Sequence, residues 1–162
     1  MVKLLDRLSR SINRGVEYLL FVFGLSMSAI VAAQVFSRYV LNNSLFWSEE
    51  LARFLLVWLT FLGASAAYCR QAHPGVDFLY ARVAPALQRI FAVVTHLASL
   101  ALFAVMIVYG CRFAWFVRMQ ISPALQIPKW IILSIVPISG LILALHGLAF
   151  LAGALKETGH DR

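Results

Sequence analysis

Two carboxylates and an arginine, Glu49, Glu50 and Arg53, stand at the mouth of a run, 54–68, that carries no charge. If this stretch is helical, Arg53 shares a face with both carboxylates, because residues three and four apart are neighbours on a helix. Ser48 is placed to cap the helix, its hydroxyl accepting from a free backbone N–H. Acidic residues in the first turn suit the positive end of the helix dipole. A well-capped helix start with a local ion pair is the plain reading, since such pairs contribute only ~0.2–0.5 kcal/mol on exposed helices. Arg53, however, lies more than a turn inside the span predicted from residue 47. An arginine at mid-membrane costs roughly 2.5–3.5 kcal/mol on insertion scales, and less near the ends, and such residues usually face protein or water. Trp58 is too deep for an interface belt, and its indole N–H calls for a partner. Gly63 and Ala67 form a small-xxx-small pair that permits close approach of another helix.

The elements that position these residues follow from composition. Of 162 residues, 62% are hydrophobic, and the mean hydropathy is +0.84. These values exclude a water-soluble globular domain and point to an integral membrane protein. The net charge of +7 does not indicate nucleic acid, because most basic residues flank apolar segments, as topology signals do. Two cysteines make no disulfide framework.

Taken in order, Lys3, Arg7, Arg10 and Arg14 alternate with Leu4, Leu5, Leu8 and Ile12 at helical spacing, which predicts an N-terminal amphipathic helix on an anionic membrane surface. Membrane spans are predicted at 16–36, 47–68, 90–110 and 130–152. The first run exceeds a typical signal h-region, so an uncleaved anchor is preferred to a signal peptide, although Val31-Ala32-Ala33 would serve as a cleavage site. The connector 69–89 is the most polar interior stretch. Within it Phe78, Leu79, Val83 and Leu87 predict an interfacial helix bent at Pro85. Pro137 and Gly140 predict a tolerated kink in the fourth span. The expected fold is therefore all-α: one membrane domain of four spans with two surface helices.

Four spans put both termini on one side. That side carries nine basic residues against five on the other, which places the termini in the cytoplasm. Cys69 and Cys111 then lie about a membrane thickness apart, ~30 Å, and cannot bridge. No Asp, Glu, Lys or Arg falls in the middle of a span, where a transport path would show an ionisable group. No nucleophile–base arrangement, phosphate loop or zinc spacing is evident, so no enzyme activity is expected. His96 and His146 fall at matching depth on the third and fourth spans. They admit an alternative, a bis-histidine haem anchor of a redox complex, although hydrogen bonding between helices or partner contact accounts for them equally well.

Three blocks resemble the small membrane subunit of tripartite ATP-independent periplasmic (TRAP) transporters. The first is Arg38-Tyr39, then 46–53 (FWSEELAR), then Trp58 and Leu62-Gly63-Ala64. The second is Arg70, His73 and Val76-Asp77, with Pro74 and Gly75 where the family often has an apolar residue. The third is 122–130 (SPALQIPKW) leading to Pro137. Their order and spacing cover essentially the whole chain. The resemblance implies a fixed scaffold in the bacterial inner membrane that binds a large elevator-type subunit laterally. The large subunit would carry the substrate and sodium sites, so no cofactor or metal is expected in this chain. A periplasmic binding protein would deliver a C4-dicarboxylate or related organic acid. On this reading Arg38, Trp47, Glu49, Glu50, Arg53, Trp58, Gly63 and Ala67 are candidates for the partner interface. Arg70, His73 and Asp77 would organise the cytoplasmic loop and contact membrane phospholipid. Arg112, Arg118 and Lys129 are external residues for which simple solvation outweighs docking.

Overall fold

The computed structural model describes residues 2–70 and 85–157, and among them every regular element is a helix. In chain order these are α1 (Val2–Tyr39), α2 (Phe46–Cys69), α3 (Pro85–Phe116), α4 (Lys129–Leu133) and α5 (Ile135–Glu157). Among the described residues, four stretches are long and apolar enough to cross a membrane: Arg7–Tyr39, Phe46–Cys69, Val93–Phe116 and Lys129–Ala152. Phe21, Leu25, Leu56, Leu102 and Leu141 are all more than half exposed, as expected where lipid or another apolar surface replaces water.

α1 departs from expectation in being one helix of 38 residues, about 57 Å at 1.5 Å per residue. The amphipathic N-terminal turns are helical, but they continue into the span instead of lying apart from it. No proline interrupts 2–39, and Gly15 and Gly24 alone do not stop a helix. The C-terminal end does stop. Asn42 takes a left-handed φ of 50°, and the Asn43 N–H reaches back to the Ser37 carbonyl at 3.0 Å. That bond, reaching back six positions past the left-handed Asn42, ends the helix.

α2 starts at Phe46 with Leu45 as its N-cap and no side-chain cap bond. This corrects the capping role predicted for Ser48. The helix begins two residues before it, so its hydroxyl points back and donates to the Leu45 carbonyl at 2.6 Å. α3 opens on Pro85, which suits a first helical position where the missing N–H has no helical partner. The bend expected at Pro85 is therefore a helix start, and the rest of the expected interfacial helix, 76–84, lies outside the described residues. The third span also runs past 110 to Phe116, because no breaker precedes Ser122-Pro123.

The fourth span breaks at Ser134, between α4 and α5. Pro137 is the cause. A helical proline has no N–H for the carbonyl four residues back, and its ring crowds that carbonyl, here Leu133. The neighbouring Ile132 carbonyl accepts the Trp58 indole N–H at 3.1 Å.

α1 packs on α2 and α3 on α5, while α5 also touches α1 and α2. Close approach of α3 and α5 depends on glycine. A Cβ on Gly110 would sit 2.9 Å from Pro137 Cδ, and one on Gly140 would sit 3.0 Å from Ile107 Cγ1. Gly140 is thus a packing residue as well as a neighbour of the kink. The buried core joins Val16 of α1, Leu62 and Ala66 of α2, and Ile135 of α5, with Phe23 and Trp58 packed against it.

Candidate partner-facing sites

At the end of α2 near Glu49 and Glu50 the predicted ion pair does not form. Among the described residues the one ion pair is Arg70–Glu17, at 2.8 Å. Glu49 instead accepts from Gln34 Nε2 of α1 at 3.1 Å. Glu50 Oε2 accepts two backbone N–H groups, from Ala124 and Leu125, both at 2.8 Å. A carboxylate favours the two converging N–H groups because such charge-assisted bonds are stronger than neutral ones. Arg53 and Arg38 are left exposed. Trp47 is 43% exposed.

The segment that Glu50 holds is itself ordered. The Ser122 N–H donates to the Ile127 carbonyl at 3.0 Å, and the Lys129 N–H to the Gln120 carbonyl at 2.9 Å. Ser122 Oγ accepts from the Ile127 N–H at 3.2 Å, and Gln126 takes a left-handed φ of 55°. Next to it, the Arg118 guanidinium lies over the Trp115 ring at 4.3 Å. The Arg112 guanidinium lies over Tyr109 at 5.8 Å, and Lys129 Nζ donates to Gln120 Oε1 at 3.3 Å. The basic side chains there rest on their own chain.

Trp58 is an internal residue: besides its bond to Ile132 it meets Phe23 edge-on, with ring centroids 5.9 Å apart. Gly63 and Ala67 behave differently. With Glu17, Leu20, Ala66 and Arg70 they line an open groove of about 430 Å³. A Cβ on Gly63 would have only Leu20 Cδ2 within reach, at 4.0 Å. Arg70 donates to Glu17 Oε1 through Nε at 3.1 Å and Nη2 at 2.8 Å, so the groove carries an ion pair at one end. His73 and Asp77 lie outside the described residues.

Sequence reasoning missed a polar edge on α1. Ser9, Asn13 and Glu17 recur every four residues, a spacing legible in the sequence but masked by the arginines around it. Asn13 Nδ2 donates to Glu17 Oε1 at 2.7 Å. Ser9 Oγ lies 2.6 Å from His146 Nδ1, and His146 is fully buried. This serine–histidine contact ties α1 to α5. His96 stacks obliquely on Phe150, with centroids 6.2 Å apart. Neither histidine lines the groove beside Gly63.

A family model for the DctQ component of tripartite ATP-independent periplasmic transporters matches residues 27–157. The chain belongs to this family. The DctQ-family chain is similar to the ectoine TRAP transporter small permease protein TeaB of Halomonas elongata, 30% identical over 136 residues, covering 82% of this chain and 68% of the relative. It is 33% identical over 100 residues to the C4-dicarboxylate TRAP transporter small permease protein DctQ of Vibrio cholerae, covering 61% of this chain and 42% of the relative. It is 41% identical over 68 residues to the sialic acid TRAP transporter permease protein SiaT of Haemophilus influenzae. That match covers 42% of this chain and 11% of the relative. The chain thus spans less than half the length of the Vibrio and Haemophilus proteins. Among these DctQ-family residues, the block 46–53 supplies the Glu50 contact to the 124–125 backbone.

Proposed function

We propose that the chain is the scaffold subunit of a TRAP-type secondary transporter, holding a large elevator-type permease subunit in the bacterial inner membrane with its own termini cytoplasmic. The observation that carries this reading is the open groove beside Gly63 and Ala67. Gly110, Gly140 and Gly147 are each within 3.1 Å of a side chain of this chain once a Cβ is added, whereas Gly63 is not. Small residues at a membrane helix surface let a second backbone approach, and this pair is left for a partner. The reading assigns Arg53 and Arg38, exposed and unpaired by Glu49 or Glu50, to polar contacts with that partner. Trp47 belongs to the same rim. Glu49, Glu50 and Trp58 act indirectly, by shaping the scaffold from within.

Substrate and sodium sites are assigned to the large subunit, and delivery to a periplasmic binding protein. The substrate class proposed is an organic acid, a C4-dicarboxylate or a related carboxylate. The relatives' names support an organic acid broadly: C4-dicarboxylates, sialic acid and ectoine carry carboxylates, and a further relative is named for isethionate, a sulfonate. Arg70, with His73 and Asp77, is assigned to the cytoplasmic loop and its phospholipid contacts.

The test is a mild-detergent purification of the tagged chain expressed with its genomic neighbours, followed by mass spectrometry. Stoichiometric recovery of a much larger polytopic protein is expected. A lone, stable small protein would overturn the scaffold reading. Arg53→Ala is expected to lower recovery of the complex and solute uptake together; unchanged values for both would remove Arg53 from the interface.

A further inference from the structure

The first turns of α1 carry three faces with different chemistry. One face is seated on the bundle through the polar atoms of Ser9 and Asn13, with Ile12 packed against the buried core beside them. Ser9 and Asn13 are 4% and 8% exposed. Ser9 Oγ meets His146 Nδ1 at 2.6 Å and lies 3.9 Å from Cys69 Sγ. The outer faces carry Arg7, Arg10 and Arg14, all exposed, with Leu4 71% and Leu8 48% exposed. Such a mixture of leucine and arginine suits the boundary between headgroups and acyl chains. These turns therefore have two places to lie, the bundle and the membrane surface.

Two further observations bear on the balance between them. The seat is imperfect: Asn13 Oδ1 and His146 Nε2 are buried without a hydrogen-bond partner. Buried unpaired polar atoms lose their hydration uncompensated, which weakens the docked arrangement. Gly15 lies just beyond Asn13, inside the helix, and a Cβ there would meet nothing within 4 Å. A glycine in a helix interior lowers the cost of leaving helical geometry at that point, and no packing accounts for it.

We propose that turns 4–14 of α1 are a hinged strap, clipped to α5 through Ser9 and His146 and able to lift at Gly15. Docked, the strap covers Cys69 and His146. Lifted, it uncovers both and lays its leucines and arginines on the membrane surface. The cytoplasmic end of the bundle, on the orientation given above, is thereby a switchable surface.

Cys69 is the reporter. The chain has two cysteines, so Cys111→Ser leaves Cys69 alone. The full chain is expressed with its genomic neighbours, and labelling by a hydrophilic maleimide is timed in membranes open on both sides. Cys69 is expected to react more slowly than Cys111 does in the reciprocal Cys69→Ser chain. Ser9→Ala should speed Cys69 labelling about fivefold, the factor by which losing one ordinary hydrogen bond shifts an equilibrium. Gly15→Ala, which the open space accommodates, should slow it by about two- to fivefold, by stiffening the hinge. Both shifts in their stated directions support the strap. Absence of either shift, or a Cys69 rate equal to that of Cys111, overturns it.

Discussion

Glu50 shows how much one side chain can organise when its partners are backbone groups. Its carboxylate takes the N–H groups of Ala124 and Leu125, which no helix or sheet satisfies. Glu50→Ala is expected to destabilise the protein by about 1–3 kcal/mol, seen as a melting temperature lowered by several degrees and as faster proteolysis within 120–128. Glu50→Gln keeps an acceptor but loses the charge, and should fall between. Trp58 is a second such residue. Trp58→Phe removes the donor to the Ile132 carbonyl while keeping a ring against Phe23, and should cost about 1 kcal/mol. Trp58→Ala should cost about 3 kcal/mol or more, because a cavity is added. The sequence marks Trp58 as needing a partner, since a deep indole N–H must go somewhere. It does not mark Glu50 apart from Glu49, because their different partners come from residues 15 and more than 70 positions away.

The helices obey local rules once their neighbours are known. Pro137 breaks the fourth span at Ser134 because of what proline lacks, so the kink was legible from composition. Its exact place follows from proline's effect on the carbonyl four residues back. The glycines are harder to read. Gly24 and Gly110 look alike in sequence, yet one faces open space and the other the ring of Pro137. Gly110→Ala is expected to cost about 1–3 kcal/mol through overpacking of α3 on α5. Gly24→Ala should stabilise the chain by about 0.5–1 kcal/mol. Thermal melts of the two variants in one detergent check both signs, and like signs would contradict the packing described for α3 and α5.

At the scale of the whole molecule, α3 is attached through α4 and α5, while α1 and α2 form the other pair. The α1–α2 face carries the groove beside Gly63. Gly63→Leu, filling that groove, is expected to leave the melting of the chain nearly unchanged. It should lower recovery of the large subunit roughly tenfold, equivalent to about 1.4 kcal/mol of binding. Gly63→Ala should change neither. Equal recovery with Gly63→Leu would move the interface to another face.

The sequence by itself determined the number of spans, their approximate limits and the absence of charge at their centres. Each of these depends on hydropathy over some twenty residues, a property of neighbours in the chain. It also carried the family, through motif blocks whose order survives without any knowledge of packing. The tertiary structure decided which charges meet. Glu17 pairs with Arg70, 53 positions on, while Arg53 pairs with neither nearby carboxylate. It decided that Ser9 sits against His146 across 137 positions, so that the N-terminal turns are docked as well as amphipathic. It also decided which small residues are used within the chain and which are left open. The physical reason is the same in each case: helical periodicity fixes which residues share a face, but only packing fixes what that face meets.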